Sequence, residues 1–242
     1  SLVTFKEKLW LFAGEQIWHS FDGMSWTQVH KQAPFAPTQA HKAVVFQDQL
    51  WVVVGRKGNE YSREVWNSSD GISWTPVREH QIAAEEGGDL LFTNSNLLEI
   101  ISYNGLMWSF GTCPSQGCEA DGDTLEKPIG QIMTSSDGVN WNHFGNTNDI
   151  SYFIDIQPVI YGDQLWLLGK ALDQEQPITI VKLSSNGSWE RLTPKPQYKD
   201  TLSAAMEGHE VVVFDDKIWV VGNSRCALGN NTTEDSTFDC NQ

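Results

Sequence analysis

The chain has 242 residues, and its 31 acidic against 16 basic side chains give a formal charge of −15. Nucleic acid and anionic membrane surfaces attract clustered Lys and Arg, so this balance argues against both as partners. It fits a cation-rich extracellular medium, a basic partner or a bound divalent metal, and no segment reaches the eighteen or so apolar residues of a membrane helix.

In chain order, residues 2–5 read as a strand, and Phe5-Lys-Glu-Lys-Leu-Trp10-Leu-Phe-Ala-Gly14 gives a turn, a second apolar strand and a glycine. The frame returns as Phe46-Gln-Asp-Gln-Leu-Trp51-Val-Val-Val-Gly55 and, with small changes, around Trp108, Trp166 and Trp219. A second frame, Ser-x-Asp-Gly-x-x-Trp, occupies residues 20–26, 68–74 and 135–141, with a shortened form in residues 184–189. Trp18 and Trp66 stand four residues before the aspartates, where later copies carry Met133 and Lys182, so all eleven tryptophans hold repeat positions. Large rings at fixed repeat positions are read first as packing residues.

The second copy serves as template. Residues 41–46 form a first strand, 50–54 a second ended by Gly55, 64–68 a third and 73–77 a fourth. Asp-Gly predicts a tight type I′ hairpin, with positive φ at both central residues, and the Asp70 carboxylate can also accept backbone N–H groups within the turn, as in an Asx-turn. A repeat of roughly 40 to 60 residues made of short strands predicts an all-β fold, a β-propeller. Five four-stranded blades are expected in one domain, at about residues 1–30, 40–80, 86–146, 153–194 and 205–242. The fifth is atypical, because it lacks the Asp-Gly-x-x-Trp unit; its outer strands must come from the tail or from another chain.

The third copy carries an insertion with Cys113, Cys118 and the carboxylates Glu119, Asp121, Asp123 and Glu126. Alternating carboxylates around a glycine are a hard-oxygen set suited to calcium. Cys113/Cys118 and Cys226/Cys240 are local pairs without zinc spacing, which points to disulfides in an oxidising compartment, with buried free thiols as the alternative. Sequons at Asn67, Asn186, Asn230 and Asn231 fit a secreted glycoprotein. The opening at Ser1, without a leader, fits a removed signal peptide or an excised piece. The expected location is extracellular or secreted, with the periplasm or cell surface included.

Residues 41–55 and 209–222 resemble kelch-like, galactose-oxidase-like propeller repeats, and Ser-x-Asp-Gly-x-x-Trp resembles a contracted Asp-box of sialidase-type propellers. A galactose-oxidase-like copper site would imply a Cys near a Tyr, which no cysteine here matches. A sialidase-like site would imply three convergent arginines, and the five present (Arg56, Arg63, Arg78, Arg191, Arg225) form no such motif. Glu85, Glu86, Asp89 and Glu207 precede inner strands and are candidates for a glycosidase carboxylate pair. His41 and His209 hold equivalent repeat positions, which favours a structural role. The sequence alone thus supports a non-catalytic extracellular scaffold, engaging a protein partner or copies of itself. The alternatives are a glycan-binding module, with Tyr61, Tyr103, Tyr152 and Tyr198 as stacking candidates, or a carbohydrate-active enzyme.

Overall fold

The computed structural model describes residues 1–36, 40–57, 60–61, 64–78, 99–113, 129–144, 153–171, 179–192 and 207–223. All regular structure among them is β, arranged as successive antiparallel sheets. Sheet one holds β1 (Leu2–Phe5), β2 (Lys8–Ala13), β3 (Gln16–Ser20) and β4 (Thr27–His30). Sheet two holds β5 (Ala40–Phe46), β6 (Gln49–Lys57), β8 (Val65–Ser68) and β9 (Thr75–Arg78), with the short β7 (Glu60–Tyr61) beside the end of β6. Sheet three comprises β10 (Glu99–Tyr103), β11 (Leu106–Cys113), β12 (Ile129–Ser135) and β13 (Asn142–His143). Sheet four comprises β14 (Phe153–Tyr161), β15 (Gln164–Ala171), β16 (Thr179–Leu183) and β17 (Trp189–Leu192). Sheet five contains β18 (Glu207–Phe214) and β19 (Lys217–Asn223). Each of the other four is a meander in sequence order, and the first strands of consecutive sheets are neighbours. In sheet two the second strand runs past Gly55 to Lys57, because β7 gives its end a further partner.

The positive-φ hairpins lie elsewhere than the Asp-Gly pairs. Both residues are left-handed at Lys6-Glu7, Gln47-Asp48, Asn104-Gly105, Gly162-Asp163 and Asp215-Asp216, the two-residue links between first and second strands. The second-strand tryptophan spans this link: Trp10, Trp51, Trp108, Trp166 and Trp219 each donate Nε1–H to the carbonyl of the aromatic five residues earlier. At the Asp-Gly units only Gly23, Gly71 and Gly138 have positive φ. The type I′ expectation fails there because the side chains organise the loop. Gly71 N–H bonds Ser68 Oγ, Ile72 and Ser73 N–H bond Asp70 Oδ1, and Trp74 Nε1–H reaches Gly71 O. The same network recurs in residues 20–26 and 135–141. In the shortened copy, one residue fewer separates Gly187 from Trp189, and Trp189 Nε1 is buried without a hydrogen bond.

These units are also where the sheets meet. A Cβ built on Gly71 would lie 2.2 Å from the Trp10 ring, and one on Gly138 would lie 2.2 Å from the Trp51 ring. Trp10 and Trp51 are therefore each seated on the glycine of the next sheet's loop. Hydrophobic clusters fill the interfaces between sheets one and two, two and three, and three and four. Each buried indole removes roughly 150–250 Å² from water, worth roughly 4–6 kcal/mol of transfer free energy before ordering costs. Polar ties supplement the seats: Lys6 Nζ to Ser69 O, Gln47 Nε2 to Ser136 O, Tyr103 Oη to Asp163 O and Tyr161 Oη to Asp216 O. The packing reading of the tryptophans meets one exception, since Trp219 is exposed.

Gly14 and Gly71 share positive φ, but only Gly71 lies against an indole. Gly14→Ala should cost about 1 kcal/mol of stability, from backbone strain alone. Gly71→Ala should cost about 2–4 kcal/mol because the new methyl also displaces Trp10. Urea unfolding of the two variants checks the difference.

Candidate functional site

Ser1, Lys42, Glu99, Gln157 and Glu210 share one repeat position. Each stands four residues before the aromatic (Phe5, Phe46, Tyr103, Tyr161, Phe214) that precedes the first hairpin turn. Because the first strands neighbour one another, this position forms a polar tier four residues before the hairpin aromatics. Lys42 Nζ and Glu99 Oε1 form an ion pair at 2.5 Å that joins sheets two and three. Ser1 Oγ accepts the Ala43 N–H, and the Ser1 amino group donates to Phe12 O, which ties sheets one and two. The amino group's pKa is lowered by burial and by Lys42, against the opposing pull of Glu99 and Glu210. Glu210 holds the equivalent first-strand position in sheet five.

His41 sits beside this tier. Its ring lies 6.5 Å from that of Phe12 and 6.0 Å from that of Phe35. Burial first, then the Ser1 amino charge and Lys42, lower its pKa to about 4. The imidazole is thus neutral in the folded chain at neutral pH. His209 occupies the matching strand position in β18.

The Asp-Gly carboxylates are committed to their loops. Asp22 is held at about 2 by the backbone N–H groups of Ser25 and Met24 and the Ser20 hydroxyl. Asp137 is held at about 2 by the Asn140 side chain and backbone and then Val139 and Ser135. Asp70 is lowered by the Ser73 and Ile72 N–H groups and Ser68, against some burial. An aspartate accepting such a set of donors is a fixed loop anion, poorly suited to proton transfer.

The sequence candidates distribute unevenly over this structure. Glu85, Glu86, Asp89, Tyr152 and Tyr198 lie outside the described residues, as do Cys118, Cys226, Cys240, Asn230, Asn231 and the calcium candidates Glu119, Asp121, Asp123 and Glu126. Among the described residues, no group of three or more His, Cys, Asp or Glu could hold a metal ion. Glu207 opens β18, Tyr61 closes β7, and Cys113 ends β11 opposite Ile129. Tyr103 spends its hydroxyl on Asp163 O and is not a free stacking platform. Asn67 lies mid-sheet between Trp51 and Thr75, whereas Asn186 is in an exposed turn where its Oδ1 accepts from Ser188 N–H and Oγ–H. The sequence reading missed Lys42, Glu99 and Glu210 as a set. Their signal was the constant four-residue offset from the hairpin aromatic.

No protein-family profile matches the chain, and no curated protein sequence matches it. Solved structures do. YjhT superposes with a TM-score of 0.64 at 12% identity over 90% of this chain and 70% of its own. A candidate glycoside hydrolase from Parabacteroides distasonis gives 0.53 at 11% identity, covering 93% and 82%. Zg3597, a family 117 glycoside hydrolase of the marine bacterium Zobellia galactanivorans, gives 0.50 at 11% identity, covering 76% and 54%. Likeness at such identities is likeness of fold. The fold is a β-propeller. The expectation of a non-catalytic scaffold is corrected by these comparisons, because the structural neighbours include glycoside hydrolases. The scaffold reading had rested on the packing role of the tryptophans, the local cysteine pairs, the incomplete fifth repeat and the lack of a sequential catalytic motif, and a site assembled from separate sheets does not require such a motif.

Acidification should destabilise the chain in two windows. His41 binds its proton near pH 6.5 when unfolded but near 4 when folded, so stability present above pH 6.5 is lost on descent towards 4. The loop aspartates lose theirs as pH falls from about 3.8 towards 2. His41→Phe should flatten the upper window, worth on the order of 2–3 kcal/mol, and leave the lower one. Urea midpoints at pH 7, 5 and 3 read both.

Proposed function

We propose that this propeller is a carbohydrate-active enzyme that binds a glycan at its polar axial tier and hydrolyses a glycosidic bond there. The observation that carries the reading is the position of Glu99 and Glu210. They occupy equivalent first-strand positions on different sheets. Glycoside hydrolysis uses two carboxylates, one as acid and one as base or nucleophile, supplied from different parts of a fold. Glu99 is largely buried and bonded to Lys42, whereas Glu210 is exposed. Lys42 fixes the Glu99 carboxylate by an ion pair, and Glu210 offers a second carboxylate from another sheet. The comparison with glycoside hydrolases of this fold supports the same substrate class. The loop aspartates and the seated tryptophans are excluded from the chemistry by their structural bonds.

A panel of oligosaccharides assayed for reducing-end release tests the proposal. The wild-type chain should cleave at least one member. Glu99→Gln and Glu210→Gln should each lower the rate about 100-fold or more. Glu190→Gln, which alters only the outer ion pair with Lys182 at 3.1 Å, should retain activity. No release by folded wild-type protein across the panel, or full activity in both axial variants, would overturn it.

A further inference from the structure

In every interface described above, the tryptophan-bearing face of one sheet packs on the opposite face of the next. The positions that form that face in sheet two are Val44, Phe46, Trp51 and Val53, all at most 7% exposed. Their equivalents in sheet five are Val212, Phe214, Trp219 and Val221. These share one face through the pairs Val212↔Trp219, Glu210↔Val221 and Phe214↔Lys217, and they are 48–69% exposed. Nothing about the residue types separates the two sets, so the difference is the lack of a covering sheet.

Sheet one shows the complementary vacancy. Ala43, Leu50, Val52 and Val54 are the sheet-two residues that receive sheet one, and all are buried. Their sheet-one equivalents are Leu2, Leu9, Leu11 and Ala13. Leu2 and Ala13 are exposed, and Leu9 and Leu11 are only partly buried. The loop glycine tells the same story. Gly71 and Gly138 each carry an indole, whereas a Cβ on Gly23 would meet only Leu9 Cδ1 at 3.5 Å, and its neighbours Phe21 and Met24 are exposed. An uncovered tryptophan on sheet five and an empty glycine seat on sheet one are the two halves of one missing pair of contacts.

We infer that a further four-stranded blade, from polypeptide outside these 242 residues, occupies the space between sheet five and sheet one. Its Asp-Gly loop covers Trp219, and its second-strand tryptophan sits on Gly23. Direct closure of sheet five on sheet one would bury both faces at once, and neither is buried. Residues 224–242 contain no tryptophan to match the ring that Gly71 and Gly138 each carry. The length relation to YjhT agrees, since this chain spans 70% of that one.

The test extends the full chain with a second copy of residues 40–78, which carries both halves of the contact. The extended protein should remain monomeric by light scattering and melt several degrees higher. Amide exchange in residues 207–223 should slow, and Gly23→Ala should become as damaging as Gly71→Ala. In the unextended chain, Gly23→Ala should cost no more than Gly14→Ala. A control extension in which the appended copy has Trp51→Ala and Gly71→Val should give none of these gains. Equal melting of the two extensions overturns the inference. So does an unextended monomer in which Gly23→Ala already matches Gly71→Ala, since the ring would then close on itself. An unextended dimer that Trp219→Ser dissociates overturns it in favour of a second copy.

Discussion

The contact on which the rest of this structure depends is an indole lying on a glycine of the next sheet. Trp10 on Gly71 and Trp51 on Gly138 leave no room for any side chain at the glycine. The indole is fixed at its other end by its own N–H bond to the carbonyl five residues back. One ring therefore couples the hairpin of its own sheet to the loop of its neighbour. The sheets are locally complete meanders, so contacts between them rest on this seat, the surrounding aliphatic clusters and a few polar ties. The third interface shows how the seat tolerates change. There Phe144 lies between Trp108, at 4.4 Å, and Gly187, and the ring-to-ring contact replaces ring on glycine.

The loop that carries the glycine is built by a carboxylate, and this separates structural from functional acids. In each full copy the aspartate Oδ1 accepts two backbone N–H groups while the serine hydroxyl accepts the glycine N–H. Those donors hold the aspartates ionised far into acid. At the tier of first-strand positions the carboxylate of Glu99 is instead paired with a side-chain cation, Lys42, from the neighbouring sheet. The recurring geometry of these loops serves packing, which is why the proposed chemistry is looked for at the first-strand tier rather than at the loop aspartates.

Much of the fold was legible in the sequence because its signals are local. The apolar run around Trp51, the turn before it and the Ser-x-Asp-Gly-x-x-Trp spacing each sit within about ten residues and specify a hairpin or a loop. The turn type at Asp-Gly was misjudged, although the Asp70 carboxylate accepts backbone N–H groups as its Asx-turn character implies, because the Ser68 hydroxyl also takes the Gly71 N–H and leaves only the glycine with positive φ. The exposure of Trp219 was not legible either. Burial of a repeat tryptophan depends on the neighbouring sheet, and residues 214–222 match the buried copies in sequence. The axial tier was missed for the opposite reason: Lys42, Glu99 and Glu210 are 57 and 111 residues apart and differ in type, so only their shared offset from an aromatic connects them.

The central claim is that the indole-on-glycine contact carries the coupling between sheets, and a double-mutant cycle at Trp51 and Gly138 tests it most directly. Gly138→Ala alone should cost about 2–4 kcal/mol by urea unfolding, because its methyl must displace the ring. In a Trp51→Leu background, where that ring is gone, the same change should cost only about 1 kcal/mol of backbone strain. A coupling energy of about 1–3 kcal/mol between the two sites is the predicted result, and costs that add within about 0.5 kcal/mol would contradict the account.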